Sequence, residues 1–486
     1  MASTDIAAVM RLSAQAFTLY RQTTPTSRAL FLDTIAQHIE ALGDALLEQA
    51  SAETNLPIAR LTGERARTTF QLRMFAAMLR EGSWIEASID HANTAKNPPA
   101  PDIRKMLVPL GPVVVFGASN FPFAYSTAGG DTASALATGC TVVVKAHPAH
   151  LKTSSMVAAA ITKAIAQCQM PEHCFQHVTD GSFETGKALV QDEHTRAVGF
   201  TGSFSGGRAL YDYAAARQHP IPVFAEMGSI NPVLLLPDKL SKEAGLLATQ
   251  YAASITLGMG QFCTNPGLLL AVKSEALTAF KTALASAIAQ VQPAPMLHKG
   301  IIAAYRQKSQ AALDTGCASL LQSGITPTSD MEPQLLITTV SGADFLQTPL
   351  LREEVFGPYS LLVECNDMAE LMQCWAAVSG QLTTSLMGTD QDFTNYPDLV
   401  QSAMTYAGRV VFNGVPTGVE VCNSMVHGGP YPATTDSRFT AVGTAAVKRW
   451  LRPVAFQNCP SALLPAALRD ENPDGIWRLV NQQWQR

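Results

Sequence analysis

The 486-residue sequence has no apolar run approaching the roughly 18 residues of a membrane span, so no membrane partner is expected. The opening stretch from Asp5 to Phe17 alternates like an amphipathic helix and includes Arg11. It has no basic region followed by an apolar core, so it does not read as a secretory leader. The nine cysteines are scattered, with no CxxC pair and no Cys/His cluster. That spacing indicates neither a metal centre nor a disulfide framework. Dispersed thiols in odd number fit a reducing compartment, and the expected location is the cytoplasm. Charge is also scarce, with 15% charged residues and a net charge of -5, which argues against nucleic acid as a partner. The dinucleotide fingerprint GxGxxG is missing, as are internal repeats and low-complexity segments.

What is present fills two or three domains, with 47% of residues apolar. Apolar residues recur three and four apart from Asp5 to about Trp84, which predicts helices. The last of these runs from about Leu61 to Arg80 and carries Arg65, Arg67 and Arg73. Asn97-Pro98-Pro99-Ala100-Pro101 breaks any helix, and Ile103 to Leu110 alternates like a strand. From Gly111 the pattern becomes buried strand, then helix: Val113 to Phe116, Thr141 to Lys145, Phe175 to Val178, Ala197 to Phe200 and Val223 to Ala225. That alternation predicts βαβ units and a parallel sheet, a candidate for nucleotide binding.

Three short stretches carry chemistry. Thr201-Gly202-Ser203-Phe204-Ser205-Gly206-Gly207 follows a strand and opens a helix, so its N–H groups could hold a pyrophosphate. Glu226 ends an apolar strand, where a buried carboxylate could act as a general base. Cys263 sits in Gly260-Gln261-Phe262-Cys263-Thr264, just after an apolar helix. The glycines let the backbone break there and aim the thiol into a cleft.

Taken with Asn120-Phe121-Pro122, Lys145, Glu353-Glu354-Val355-Phe356-Gly357-Pro358 and Phe412-Asn413-Gly414, these stretches resemble the aldehyde dehydrogenase superfamily over essentially the whole chain. The resemblance implies an α/β fold with a Rossmann-type cofactor domain (1–86 and 109–231) and a catalytic domain (232–450). An oligomerisation arm and tail (87–108 and 451–486) would complete it and make a homodimer or homotetramer. It implies Cys263 as the thiolate nucleophile, Asn120 as an oxyanion donor and Glu226 as the hydrolytic base. Glu354 would hold the nicotinamide ribose, Phe356 would pack beside the ring, and Gly202 and Ser203 would meet the pyrophosphate. Lys145 would bind the adenosine ribose or its phosphate. Many NAD-using members carry a glutamate three residues after that lysine. Here the stretch is Lys145-Ala146-His147-Pro148, with no carboxylate to repel a 2′-phosphate. Lys145 and His147 could pair with one, so NADP is expected and NAD is possible.

Within the superfamily, Ala128 to Leu136, Phe224 to Pro232 and Gly428 to Thr434 resemble the 2,5-dioxovalerate dehydrogenases. That implies an aldehyde with a distal carboxylate. Arg67 is the cation expected to receive it, with Phe121, Phe262 and Thr264 lining the path. Arg65 and Arg73 fall elsewhere on the helix. The alternatives are a fatty or broad-range aldehyde dehydrogenase, an acyl-CoA-forming enzyme, which would need no hydrolytic base, and a silent binding protein on the same fold.

Overall fold

The computed structural model describes residues 5–486. Four helices open the chain: Ile6–Tyr20, Pro25–Glu40, Gly43–Thr54 and Ile58–Glu81. Asp5 and Thr24 cap the first two through side-chain oxygens, and Pro25 occupies the first turn of the second. The longest helix ends at Gly82 in the left-handed region. Its buried face, including Leu61, Leu72, Phe75 and Ala76, shares one core with Phe31, Leu32 and Ile35 of the second helix.

The first sheet is wholly parallel and runs Phe175–Val178, Val142–Lys145, Val113–Phe116, Ala197–Thr201, Val223–Glu226. The chain therefore starts in the middle, winds outward, and switches direction between Val113–Phe116 and Ala197–Thr201. Ligands of such sheets bind outside the carboxyl ends of the strands at that switch. Lys145, Thr201 and Glu226 all stand at those ends. The strands read as valine runs because helices cover both faces.

A second sheet of seven strands runs Ser319–Ser323, Leu336–Ser341, Tyr359–Cys365, Leu268–Val272, Val233–Leu235, Gln381–Met387, Ala407–Phe412. Only its first pair is antiparallel. A third sheet joins Leu451–Gln457, Ile103–Pro109, Ser88–Asp90, Arg478–Val480 and Gln483–Gln485. The Pro-rich stretch and the C-terminal tail thus form one unit, with a small core of their own around Ile89, Leu464 and Leu468.

One expected boundary is corrected. The run from 232 to 450 does not stay in one lobe. Ala446, Val447 and Trp450 pack into the core beneath the first sheet, and Trp450 Nε1 donates to Ser134 Oγ at 2.8 Å. Burying that indole in the first lobe pulls residues 444–450 back to it. Among the described residues no helix is long and apolar enough to cross a membrane.

Candidate active site

The site forms where the two large sheets meet. Helix Pro237–Thr256 ends in a 3-10 turn, Leu257–Gly260, where Gly258, Met259 and Gly260 all have positive φ. A side chain on Gly260 would collide with the Gly357 carbonyl. This turn throws Cys263 away from the helix and toward the end of strand Val223–Glu226. Cys263 Sγ lies 3.5 Å from His427 Nε2, and that same nitrogen lies 3.1 Å from Glu226 Oε1. The three ligand atoms all fall within 4.8 Å of one another. Glu226 and His427 are buried. The 3.1 Å approach lacks hydrogen-bond directionality, so both Glu226 oxygens are left without a hydrogen-bond partner.

Burial pushes the Cys263 thiol well above the ordinary range, and the charges of Glu226 and Glu354 push it further up. Arg67 acts in the opposite direction. The sulfur is therefore a thiol in this state, with the Glu226 carboxyl and the His427 imidazole beside it.

Asn231 fixes the nucleophile loop. Its Nδ2 donates to the carbonyls of Cys263 at 2.8 Å and Asn265 at 2.9 Å, and its Oδ1 accepts from Thr383 Oγ1 at 2.9 Å. It does so from the left-handed region, at φ 46, which asparagine tolerates. Gln261 ties the same loop down, because its Oε1 accepts from Leu297 N at 2.9 Å. The Asn120 side chain donates to the Gln261 carbonyl at 3.3 Å, which brings it beside the cysteine loop.

Around the thiol stand Phe121, Phe262 and Tyr125. Phe121 meets Tyr125 edge-on at 5.4 Å and Phe262 at 5.8 Å. Arg67 lies 5.6 Å from the Tyr125 ring and donates from Nη2 to its hydroxyl at 3.3 Å. Arg65 instead binds the Gly43 carbonyl and Arg73 pairs with Glu40, so neither reaches this path. Thr264 corrects an expectation. It is 1% exposed and offers the path no surface, because it follows Cys263 into the interior.

Of the residues expected to meet a dinucleotide, Lys145, Gly202 and Ser203 lie at the carboxyl ends of strands of the first sheet, and Glu354 and Phe356 lie in the loop before strand Tyr359–Cys365 of the second. Ser203 caps helix Phe204–Ala215, accepting from Gly206 N at 3.2 Å, and is exposed. Gly202 N donates to the Glu226 carbonyl at 3.0 Å, so this turn is bonded to the strand of the candidate base. A side chain on Gly202 would strike the Phe200 ring at 2.6 Å. Glu354 lies over Gly228, and burial raises its carboxyl to about 7. Glu354 and Phe356 line a narrow cleft with Phe262 and Gly260. Lys145 is buried, and that burial lowers its pKa while Asp180 opposes the drop.

His147 departs from expectation. Its Nδ1 accepts from Ala149 N at 3.1 Å, and its ring stacks on His150 at 5.6 Å. Burial, then His150, His298 and Lys145, depress it to about 3. At neutral pH it carries no positive charge, so it can offer a 2′-phosphate only a neutral Nε2–H.

A cysteine thiol beside a buried carboxylate, next to a dinucleotide-type sheet, is the arrangement expected of a thiol-dependent oxidoreductase. The family comparison is specific. The model described as the aldehyde dehydrogenase family matches residues 1–434, and the chain belongs to that family. It is 47% identical over 479 residues to alpha-ketoglutaric semialdehyde dehydrogenase 2 of Azospirillum brasilense, covering 98% of this chain and 91% of that protein. It is 46% identical over 469 residues to the alpha-ketoglutaric semialdehyde dehydrogenase of Acinetobacter baylyi, covering 96% and 89%. Among solved structures, gamma-glutamyl-gamma-aminobutyraldehyde dehydrogenase from Burkholderia cenocepacia superposes with a TM-score of 0.78, over 94% of this chain and 89% of that one, at 20% identity. Proline utilization A from Bdellovibrio bacteriovorus gives 0.78 at 21% identity, and the chain spans 46% of that longer protein. At such identities these structures establish the fold alone.

His427, Asn231, Gln261, Tyr125 and Arg60 were not singled out from the sequence. The signal for His427 was available in Met425-Val426-His427-Gly428-Gly429-Pro430, a histidine in a glycine-rich turn. What was missing was its partner, 164 positions earlier.

Proposed function

We propose that this chain oxidises 2,5-dioxopentanoate to 2-oxoglutarate with NADP. The observation that carries the chemistry is the single His427 nitrogen set between Cys263 Sγ and Glu226 Oε1. As Cys263 attacks the aldehyde, its proton passes to Glu226 or His427. The Asn120 amide and the Cys263 N–H steady the oxyanion of the thiohemiacetal. The bound cofactor supplies the hydride acceptor. Gly202, Ser203, Lys145, Glu354 and Phe356 are the residues that would hold it, and the exposed helix N-terminus at Ser203 fits a pyrophosphate. A thioester on Cys263 remains, and Glu226 takes a proton from the water that hydrolyses it. The unpartnered carboxylate oxygens of Glu226 support that role, and the same role disfavours transfer to coenzyme A.

The substrate reading draws on the named relatives and on Arg67. That guanidinium stands beside Phe121 and Tyr125, with a buried Nε that has no partner. For the cofactor, no carboxylate follows Lys145 at the position that would repel a 2′-phosphate, and Lys145 supplies the positive charge. We further propose a closed homo-oligomer built on the third sheet, whose Trp477 and Trp484 are exposed. The test is an aldehyde panel with each dinucleotide. The expected result is the highest kcat/KM for 2,5-dioxopentanoate with NADP. A higher value for hexanal would overturn the substrate, and a higher value with NAD would overturn the cofactor preference.

A further inference from the structure

Arg60, Glu64 and Arg67 lie on one stripe of helix Ile58–Glu81, four and then three residues apart. Glu64 is committed to the backbone, with Oε1 accepting from Phe123 N at 2.8 Å and Ala124 N at 3.0 Å. The two arginines that flank it enter no ion pair among the described residues, unlike Arg73 and Arg80 on the same helix. The stripe therefore holds one positive charge in excess.

Arg60 is also pressed between two rings of the aldehyde path, 5.0 Å from the Phe121 centroid and 4.9 Å from that of Phe262. Its Nη2 donates to the Asn120 carbonyl at 2.7 Å, while its Nη1 is buried without a partner. Arg67 shows the same pattern, with a buried and unpartnered Nε. Buried N–H groups on a cation are costly unless something accepts from them. Arg409 is a third guanidinium near the thiol and also has a buried Nε without a partner, but both its terminal nitrogens are taken by the carbonyls of Pro416 and Gly418, which leaves no fork for a carboxylate. Both remaining guanidiniums face Phe121, Arg60 from beside Phe262 and Arg67 from beside Tyr125.

We propose that Arg60 is a second substrate-binding arginine, which takes the distal carboxylate of a 2-oxo acid aldehyde jointly with Arg67. This rests on the substrate reading above. The aldehyde carbon sits on Cys263, the short chain runs alongside the Phe121 and Phe262 rings, and the carboxylate lies between the two guanidiniums. A neutral aldehyde uses the rings alone.

The test measures kcat/KM for 2,5-dioxopentanoate and for hexanal in the wild type, Arg60→Gln, Arg60→Met and Arg67→Gln, and compares the ratio of the two substrates. Arg60→Met keeps the packing between the rings and serves should the glutamine variant not fold. In either Arg60 variant the ratio is expected to fall about ten- to a hundredfold, the worth of a charge-assisted hydrogen bond. Equal loss on both substrates would mean that Arg60 only holds the Asn120 carbonyl, and would overturn the proposal. So would an unmoved ratio. A wild-type enzyme that favours hexanal would sink the substrate reading itself. A wild type that favours the keto acid, with a fall only in Arg67→Gln, would remove Arg60 and leave that reading standing.

Discussion

Replacing Asn231 by alanine tests how the nucleophile is held. The substitution strands the carbonyls of Cys263 and Asn265, both now served by one Nδ2. A buried group left without its partner costs about 1–3 kcal/mol, so the pair costs about 2–6 kcal/mol. Alanine in the left-handed region adds about 1–2 kcal/mol. The sum, about 3–8 kcal/mol, lies beyond most point substitutions. A cooperative transition of the 486-residue chain carries about 1 kcal/mol per kelvin, which converts the sum to a Tm lowered by about 3–8 °C. The thiol should also lose its aim, and a displacement of about 1 Å can cost about 10²-fold in rate. Differential scanning fluorimetry and single-turnover NADPH formation read the two effects. Asn231→Asp keeps the shape and the tolerance for positive φ, yet loses both donors, so it should fare no better. An unchanged Tm with undiminished turnover in either variant would refute the reasoning.

Other outcomes follow from the same geometry. Cys263→Ala should abolish turnover while still binding NADP by fluorescence quenching, and residual full activity would remove the thiol from the mechanism. Glu226→Gln should give one burst of NADPH and then stall at the thioester; steady acid release at the wild-type rate would show another base at work. Glu354 has its carboxyl raised from 4.5 to about 7, so the folded state holds a proton that the unfolded state releases between those values. Its contribution to stability is therefore lost as pH rises through that window. Glu354→Gln should raise the Tm of the apoprotein at pH 8 more than at pH 4.5, and the reverse order would contradict the burial that raises it. A monomer by light scattering at micromolar concentration would contradict the proposed assembly.

The parallel strands were legible from their buried valines: Val113 to Phe116 is a strand at the expected residues, and the strand expected over Thr141 to Lys145 runs Val142–Lys145. Cys263 and Glu226 were expected at breaks in a periodic pattern, and Asn120 and Arg67 from the family resemblance; the structure brings Asn120 to the cysteine loop and Arg67 to the Tyr125 hydroxyl. Arg60 lies seven residues earlier on the same stripe and could have been found by that spacing, but its meaning comes from Phe121 and Phe262, brought from two distant segments. The charge state of His147 was hidden for a related reason. Its type promised a cation, and the burial that lowers its pKa, with His150, His298 and Lys145 adding to it, is assembled only by folding. The excursion of 444–450 was hidden because one tryptophan, Trp450, decides it.

The two large sheets are joined by the chain twice, once through Met227 to Pro232 and again on the way from strand Ala407–Phe412 back to Thr434, which bridges to Glu226. Both joints pass beside the thiol, since the first follows Glu226 and the second carries His427. The lobes are also packed together away from these joints, where Leu297 enters the core of the first and Asn55 Nδ2 donates to the Met296 carbonyl at 3.0 Å. The crossings therefore bring sulfur, imidazole and carboxylate together from segments on both sides of the seam, and a change that loosens either tie would act directly on their spacing.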